Sequence, residues 1–218
     1  MTSPYRLALL TDPPTWCGMA LSGRSLDLLT ALAGSRDARM SDGALIEALW
    51  PGDLPAQPLR ALHVVVSRVR AVVGEGSVER SGDGYRLALP KTDVDVRDLS
   101  DRVERARACA VAGQWEQVLD LTDSLPQVPA CADADNTLGA GATPVARLRE
   151  WAARQAEEAR RDRGLALEAA GEHERAVALL REASQRDSGD ETVLAALMRA
   201  ESWVRSPAAA LEIYEQYR

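Results

Sequence analysis

Lysine is almost missing from this chain: Lys91 stands alone beside twenty-five arginines. Cysteine is scarce too. Cys17, Cys109 and Cys131 are odd in number and far apart, which excludes a disulfide framework and a CxxC metal clip. No apolar run approaches the ~18 residues of a membrane span, and the first twenty residues lack a basic region followed by an apolar core. An intracellular, cytoplasmic protein without a membrane contact is therefore expected. The two histidines, His63 and His173, have no ligand-spaced partner, so no metal site is expected. With scattered serines they assemble no nucleophile, base and orienting group, and the chain is not expected to be an enzyme. The glycines of "GAGAT" precede no GK[ST] element, which rejects a phosphate loop and leaves no cofactor site in view. The most informative absence is local. From Leu54 to Gly74 there is no acid, while Arg60, His63, Arg68 and Arg70 all lie inside, in a chain of formal charge −7.

What is present divides in two. Residues 1 to 93 carry ten basic and ten acidic side chains, and residues 94 to 218 carry sixteen and twenty-three. A neutral first half and an acidic, helically periodic second half read as two modules with different partners. In the first half, "YRLALL" alternates and "WCGMAL" offers a second extended piece, a small β start. Ser22 is placed to cap a helix carrying Leu26, Leu29 and Ala33, with Gly34 as its left-handed end. Ser41 caps "DGALIEALW", whose Leu45, Ile46, Leu49 and Trp50 face inward until Pro51. A third helix follows, and then "SVER", "SGDG" and "YRLALP" form a hairpin with Tyr85, Leu87 and Leu89 inward.

On a wheel at 100° per residue, Leu62, Val66, Val69 and Val73 of the third helix form a buried stripe. Arg60, Val64, Ser67, Arg68 and Ala71 take the opposite arc, with His63 and Arg70 on the flanks. Solvated helices usually mix acids with bases for i,i+4 pairing. An outward face of arginines beside small or methyl-bearing side chains suits a helix that enters a groove. Two helices, a basic third helix and a hairpin directly after it are the order of a winged helix-turn-helix.

The segments "LIEALWPGDLPAQPLRALHVVVSRVRAVVG", "GDGYRLALP" and "VDVRDL" resemble the OmpR-type winged-helix domain of the actinobacterial antibiotic regulatory proteins, the SARP family. Its ALW, SRVR and GYRL elements occur in the right order and at the right separations, and the resemblance covers nearly the whole chain. Two departures are a short N-terminal strand region and no counterpart of the family's Trp-Arg-Gly segment in residues 126 to 144. The resemblance implies a mainly α fold with a small β component: a winged helix-turn-helix domain over 1–93, then a tetratricopeptide-like bacterial transcriptional activation domain over 94–218. It implies binding of double-stranded DNA at promoter direct repeats, as a side-by-side homodimer in the nucleoid. RNA polymerase and its sigma factor would be the partners, and a secondary-metabolite cluster the target. In the SR-x-R element, Arg68 would read bases or grip phosphate, since arginine on guanine O6 and N7 is the commonest specific contact, and Val64 suits a thymine methyl. Arg60 and Arg70 suit phosphates, and His63 flanks the surface. Arg80, beside the hairpin turn, is either a wing contact or a solvated strand end. The rival reading is an interaction scaffold with a degenerate winged helix.

The second half is read as helices from Leu99 onward. "PQVPACADADNTLGAGATP" is expected as a mobile loop, about 126–144, before a long helix from Val145 to Ala170. Gly164, Gly171, Ala176, Leu180 and Ala183 fall at tetratricopeptide offsets, and Ala176 and Leu180 recur 34 residues later as Ala210 and Tyr214. Trp115, Trp151 and Trp203 are expected to be packing residues. The chain ends at "YEQYR" within a repeat helix, as a fragment of a longer protein would.

Overall fold

The computed structural model describes residues 3–128 and 143–217. Most of the expected loop, and Cys131 within it, lies outside them. Two compact units form, one from the described parts of Met1–Leu99 and Pro126–Ala153, the other from those of Ser100–Leu125 and Arg154–Arg218. The boundaries therefore differ from a single cut after residue 93.

The first unit opens with a three-stranded antiparallel sheet of β1 (Leu7–Ala8), β2 (Thr15–Trp16) and β3 (Met19–Ala20). "WCGMAL" is thus not one extended piece. Cys17 and Gly18 both adopt positive φ, 47° and 82°, and fold it into a two-residue hairpin. Nor does "YRLALL" alternate: Leu7, Ala8, Leu9 and Leu10 are all buried. The buried backbone of this run needs partners, and residues distant in sequence supply them. Asp95 accepts from the Leu9, Leu10 and Val96 N–H groups at 3.0, 2.8 and 2.7 Å. Arg149 donates to the Leu9 carbonyl at 3.2 Å and to that of Thr11. These bonds are why the first unit extends past residue 93 and takes in the stretch around Arg149.

Helix α1 (Gly23–Gly34) follows, burying Leu28, Leu29 and Leu32. Ser22 precedes it without a side-chain cap bond, and Ser35 ends it at a φ of −81°, so Gly34 is not a left-handed cap. Its missing side chain serves packing instead, because a Cβ there would lie 2.9 Å from Leu148 Cδ1. A short strand that the pattern did not announce, β4 (Arg39–Ser41), leads into α2 (Asp42–Leu49), capped by Ser41 Oγ on the Ala44 N–H at 3.3 Å. Leu45 and Leu49 are buried; Ile46 and Trp50 are half-buried.

Helix α3 (Pro58–Val73) begins with proline in its first turn, where the missing N–H costs nothing. It buries Leu62, Val65, Val66, Val69 and Val73, the expected stripe widened by Val65, and packs on α1 and α2. The hairpin of β5 (Val78–Ser81) and β6 (Gly84–Leu87) comes next, and β4 adds to the outer edge of β6. That edge is tight: a Cβ on Gly84 would fall 1.9 Å from the Met40 carbonyl oxygen. Tyr85 and Leu87 face the core as expected, while Leu89, beyond the strand, is half-buried. Helix, helix, helix and hairpin make this unit a winged helix-turn-helix.

The remaining helices are α4 (Asp95–Val111), α5 (Trp115–Thr122), α6 (Pro144–Ala169), α7 (His173–Arg186), α8 (Glu191–Val204) and α9 (Pro207–Tyr217). In the second unit Ala176, Leu180 and Ala183 of α7 meet Val193, Ala196, Leu197 and Ala200 of α8, with Leu165 and Leu167 of α6. Gly164 allows this approach, since a Cβ there would lie 3.1 Å from Leu180. The expected repeat fades in α9, where Ala209 is buried but Tyr214 is half exposed to solvent. Trp115 packs against the core, whereas Trp203 is 77% exposed and stacks on His173 with ring centroids 5.6 Å apart. The expectation of a packing role fails for Trp203, because α9 does not cover it.

Candidate nucleic-acid interface

The buried stripe of α3 fixes what its other side presents. Arg60, His63, Val64, Ser67 and Arg68 are all exposed, Val64 at 45%. No carboxylate lies within the helix or its first turn. Arg68 has no hydrogen-bond or ion-pair partner among the described residues, and Arg60 makes only a 3.5 Å contact with Gln57 Oε1. The side chains on this face are donors and small apolar groups, suited to phosphate oxygens, base-edge acceptors and methyl groups.

Arg70 and Arg80 are placed differently from the sequence expectation. Arg70 is half-buried; its Nε donates to the Val78 carbonyl at 2.8 Å, and its guanidinium lies 5.8 Å from the Tyr85 ring centroid. Arg80 reaches from the hairpin to Asp42 Oδ1 at 2.8 Å and sits 5.0 Å from the same ring. The Asp42 and Tyr85 hydrogen bonds raise its pKa, so its charge is held. Two guanidiniums thus bracket Tyr85 and fasten the hairpin to α3 and to the start of α2. The 80th position was legible as a hairpin arginine, but its direction was set by Asp42, distant in sequence.

The geometry also brings forward a cation that the pattern did not single out. Arg39 of β4 reaches the hairpin connection, where its Nη2 lies 3.2 Å from Asp83 Oδ1. A lone arginine in a three-residue strand has no periodicity to mark it.

No family profile matches the chain. The chain is 30% identical over 160 residues to the regulatory protein AfsR of Streptomyces griseus, across 67% of this chain and 16% of that protein. It is 32% identical over 104 residues to AfsR of Streptomyces coelicolor, across 44% of this chain and 10% of the relative. It therefore spans less than a fifth of the length of the curated relatives it matches. Among solved structures it is similar to Mycobacterium tuberculosis EmbR in complex with a low affinity phosphopeptide, with a TM-score of 0.69 and 20% identity over 94% of this chain and 56% of that one. That likeness shows the fold, a winged helix followed by a helical domain. The sequence match to AfsR, together with this fold, supports a SARP-type regulator.

Proposed function

We propose that this chain is a sequence-specific transcriptional activator whose α3 enters the major groove of promoter direct repeats, two copies side by side. Its helical unit serves the RNA polymerase and sigma-factor contact, at promoters of a secondary-metabolite cluster. The observation that carries this reading is the acid-free outer face of α3, with Arg68 exposed and unengaged among the described residues. Arg68 reads bases, with Val64 against a thymine methyl. Arg60, His63 and Ser67 line the phosphates. Arg70 and Arg80 act from behind, holding the hairpin at the angle the groove requires.

Two measurements on the full chain test this. If about four to six phosphates are met per subunit, the log of the association constant should fall against log salt with a slope of about −4 to −5. A slope near zero would favour the scaffold. Arg68→Ala should cost about 1–3 kcal/mol on a specific site and relax base preference, whereas Arg60→Ala should weaken all sequences evenly. Equal losses on specific and random DNA for both variants would remove base reading from Arg68.

A further inference from the structure

A hairpin that flanks DNA needs a cation near its tip, yet this tip carries an acid. β5 and β6 are joined by Gly82 and Asp83, and Asp83 is 76% exposed. The hairpin's own two arginines are engaged elsewhere. Arg80 is paired with Asp42 at 2.8 Å, and Arg86 is held by Glu79 at 2.6 Å, its cross-strand neighbour in the ladder.

The neighbouring strand supplies what the hairpin lacks. In the β4–β6 register Arg39 stands directly opposite Arg86, so the two side chains share one face of the sheet. Like charges directly opposite repel. Glu79 neutralises Arg86 in that row, and Arg39 leans along the face toward the tip. There its guanidinium crosses Gly82, where a Cβ would be 2.6 Å from Nη2, and ends 3.2 Å from Asp83. Gly82 both takes the left-handed turn conformation, φ 59°, and leaves room for that crossing. The Arg39–Asp83 pair is open to water, at 47% and 76% exposure. Such a pair contributes little, so a phosphate, which offers a guanidinium two parallel acceptors, can replace the carboxylate.

We propose that the hairpin's contact with DNA is made by Arg39, carried on β4 rather than on the hairpin itself, with Asp83 as the counter-ion that DNA phosphate must displace. This rests on the DNA-binding reading above.

The test uses the full chain and a labelled duplex titrated at several salt concentrations, with thermal unfolding of each variant as the folding check. Arg39→Ala should weaken binding to every duplex by about five- to tenfold and make the salt slope shallower by about one, the signature of one lost phosphate contact. Arg39→Lys, which keeps the charge, should recover most of the slope. Asp83→Asn should tighten binding. The double variant Arg39→Ala with Asp83→Asn should still bind more weakly than Asp83→Asn alone. If the double variant matches Asp83→Asn, the loss in Arg39→Ala came only from an uncovered acid, and the contact is overturned. A slope lost in Arg80→Ala and kept in Arg39→Ala would return the contact to the hairpin and overturn the assignment. An unchanged Arg39→Ala, in a chain that binds duplex and is weakened by Arg68→Ala, would sink this inference alone. Failure of the unsubstituted chain to bind any duplex would sink the DNA-binding reading and this inference with it.

Discussion

Asp95 shows how one side chain can decide where a unit ends. Its carboxylate is buried and takes three backbone N–H groups, two of them from Leu9 and Leu10, just after β1 and eighty-five residues or more away in sequence. Burial pushes its pKa up, and the N–H groups of Leu10, Leu9 and Val96 and the charge of Arg149 act against that shift without cancelling it. The folded protein then keeps a proton to a higher pH than the unfolded chain does. The stability linked to this group is fully present below the unfolded value, about 3.9, and is lost as pH rises through the folded one. Asp95→Asn removes that titration, and it also replaces one of two acceptor oxygens by a donor facing a buried N–H. Relative to the parent, the variant should lose about 1–3 kcal/mol at neutral pH for the unsatisfied group. The parent's excess stability over the variant should shrink as pH rises across that acidic window. Denaturant unfolding followed across pH checks both, and a variant as stable as the parent at pH 7 would mean that these bonds do not hold the sheet.

At the scale of elements, α3 and the hairpin are joined by contacts that no local pattern records. The α3 stripe was legible because apolar residues at helical spacing have one way to be buried, and Leu62, Val66, Val69 and Val73 are buried as the wheel predicts. The hairpin was legible from glycine and alternation, with Tyr85 and Leu87 inward. The directions of Arg70 and Arg80 were not, because they depend on the Val78 carbonyl, Tyr85 and Asp42, which come together only when the elements pack. The same reason hid β4, whose three residues gain meaning only from the register with β6, and the exposure of Trp203, which depends on what α9 leaves uncovered. The contrast between Arg70 and Arg68 is measurable without DNA. Arg70→Ala should lower stability by about 1 kcal/mol, the net worth of a typical hydrogen bond. Arg68→Ala, with no partner to lose among the described residues, should stay within about 0.5 kcal/mol of the parent. Equal unfolding midpoints for the two variants would place Arg70 on the open surface with Arg68.

For the molecule as a whole, the charge difference between the halves and the two separate cores point to a division of labour. The winged helix closes over Leu28, Leu29, Leu32, Leu45 and Leu62, and the helical unit over Ala176, Leu180, Val193 and Leu197. An acidic helical surface repels phosphate at short range and presents helix faces, so it suits protein partners or a second subunit. Leu180 is fully buried, against Gly164 of α6 and the α8 residues around it. Leu180→Asp would put an unpaired charge there, at a cost on the order of several kcal/mol. That exceeds what a single small core can absorb, so the helical unit should unfold while the winged helix keeps its own core. The variant should still bind one half-site with base preference. It should lose paired binding on a direct repeat, activation in a reconstituted polymerase assay, or both. Circular dichroism reports the lost helix content, and mobility shifts on single and double sites report the binding. Activation retained by a chain whose helical unit is demonstrably unfolded would refute the division, and loss of half-site binding would show that the winged helix depends on a core it does not contain.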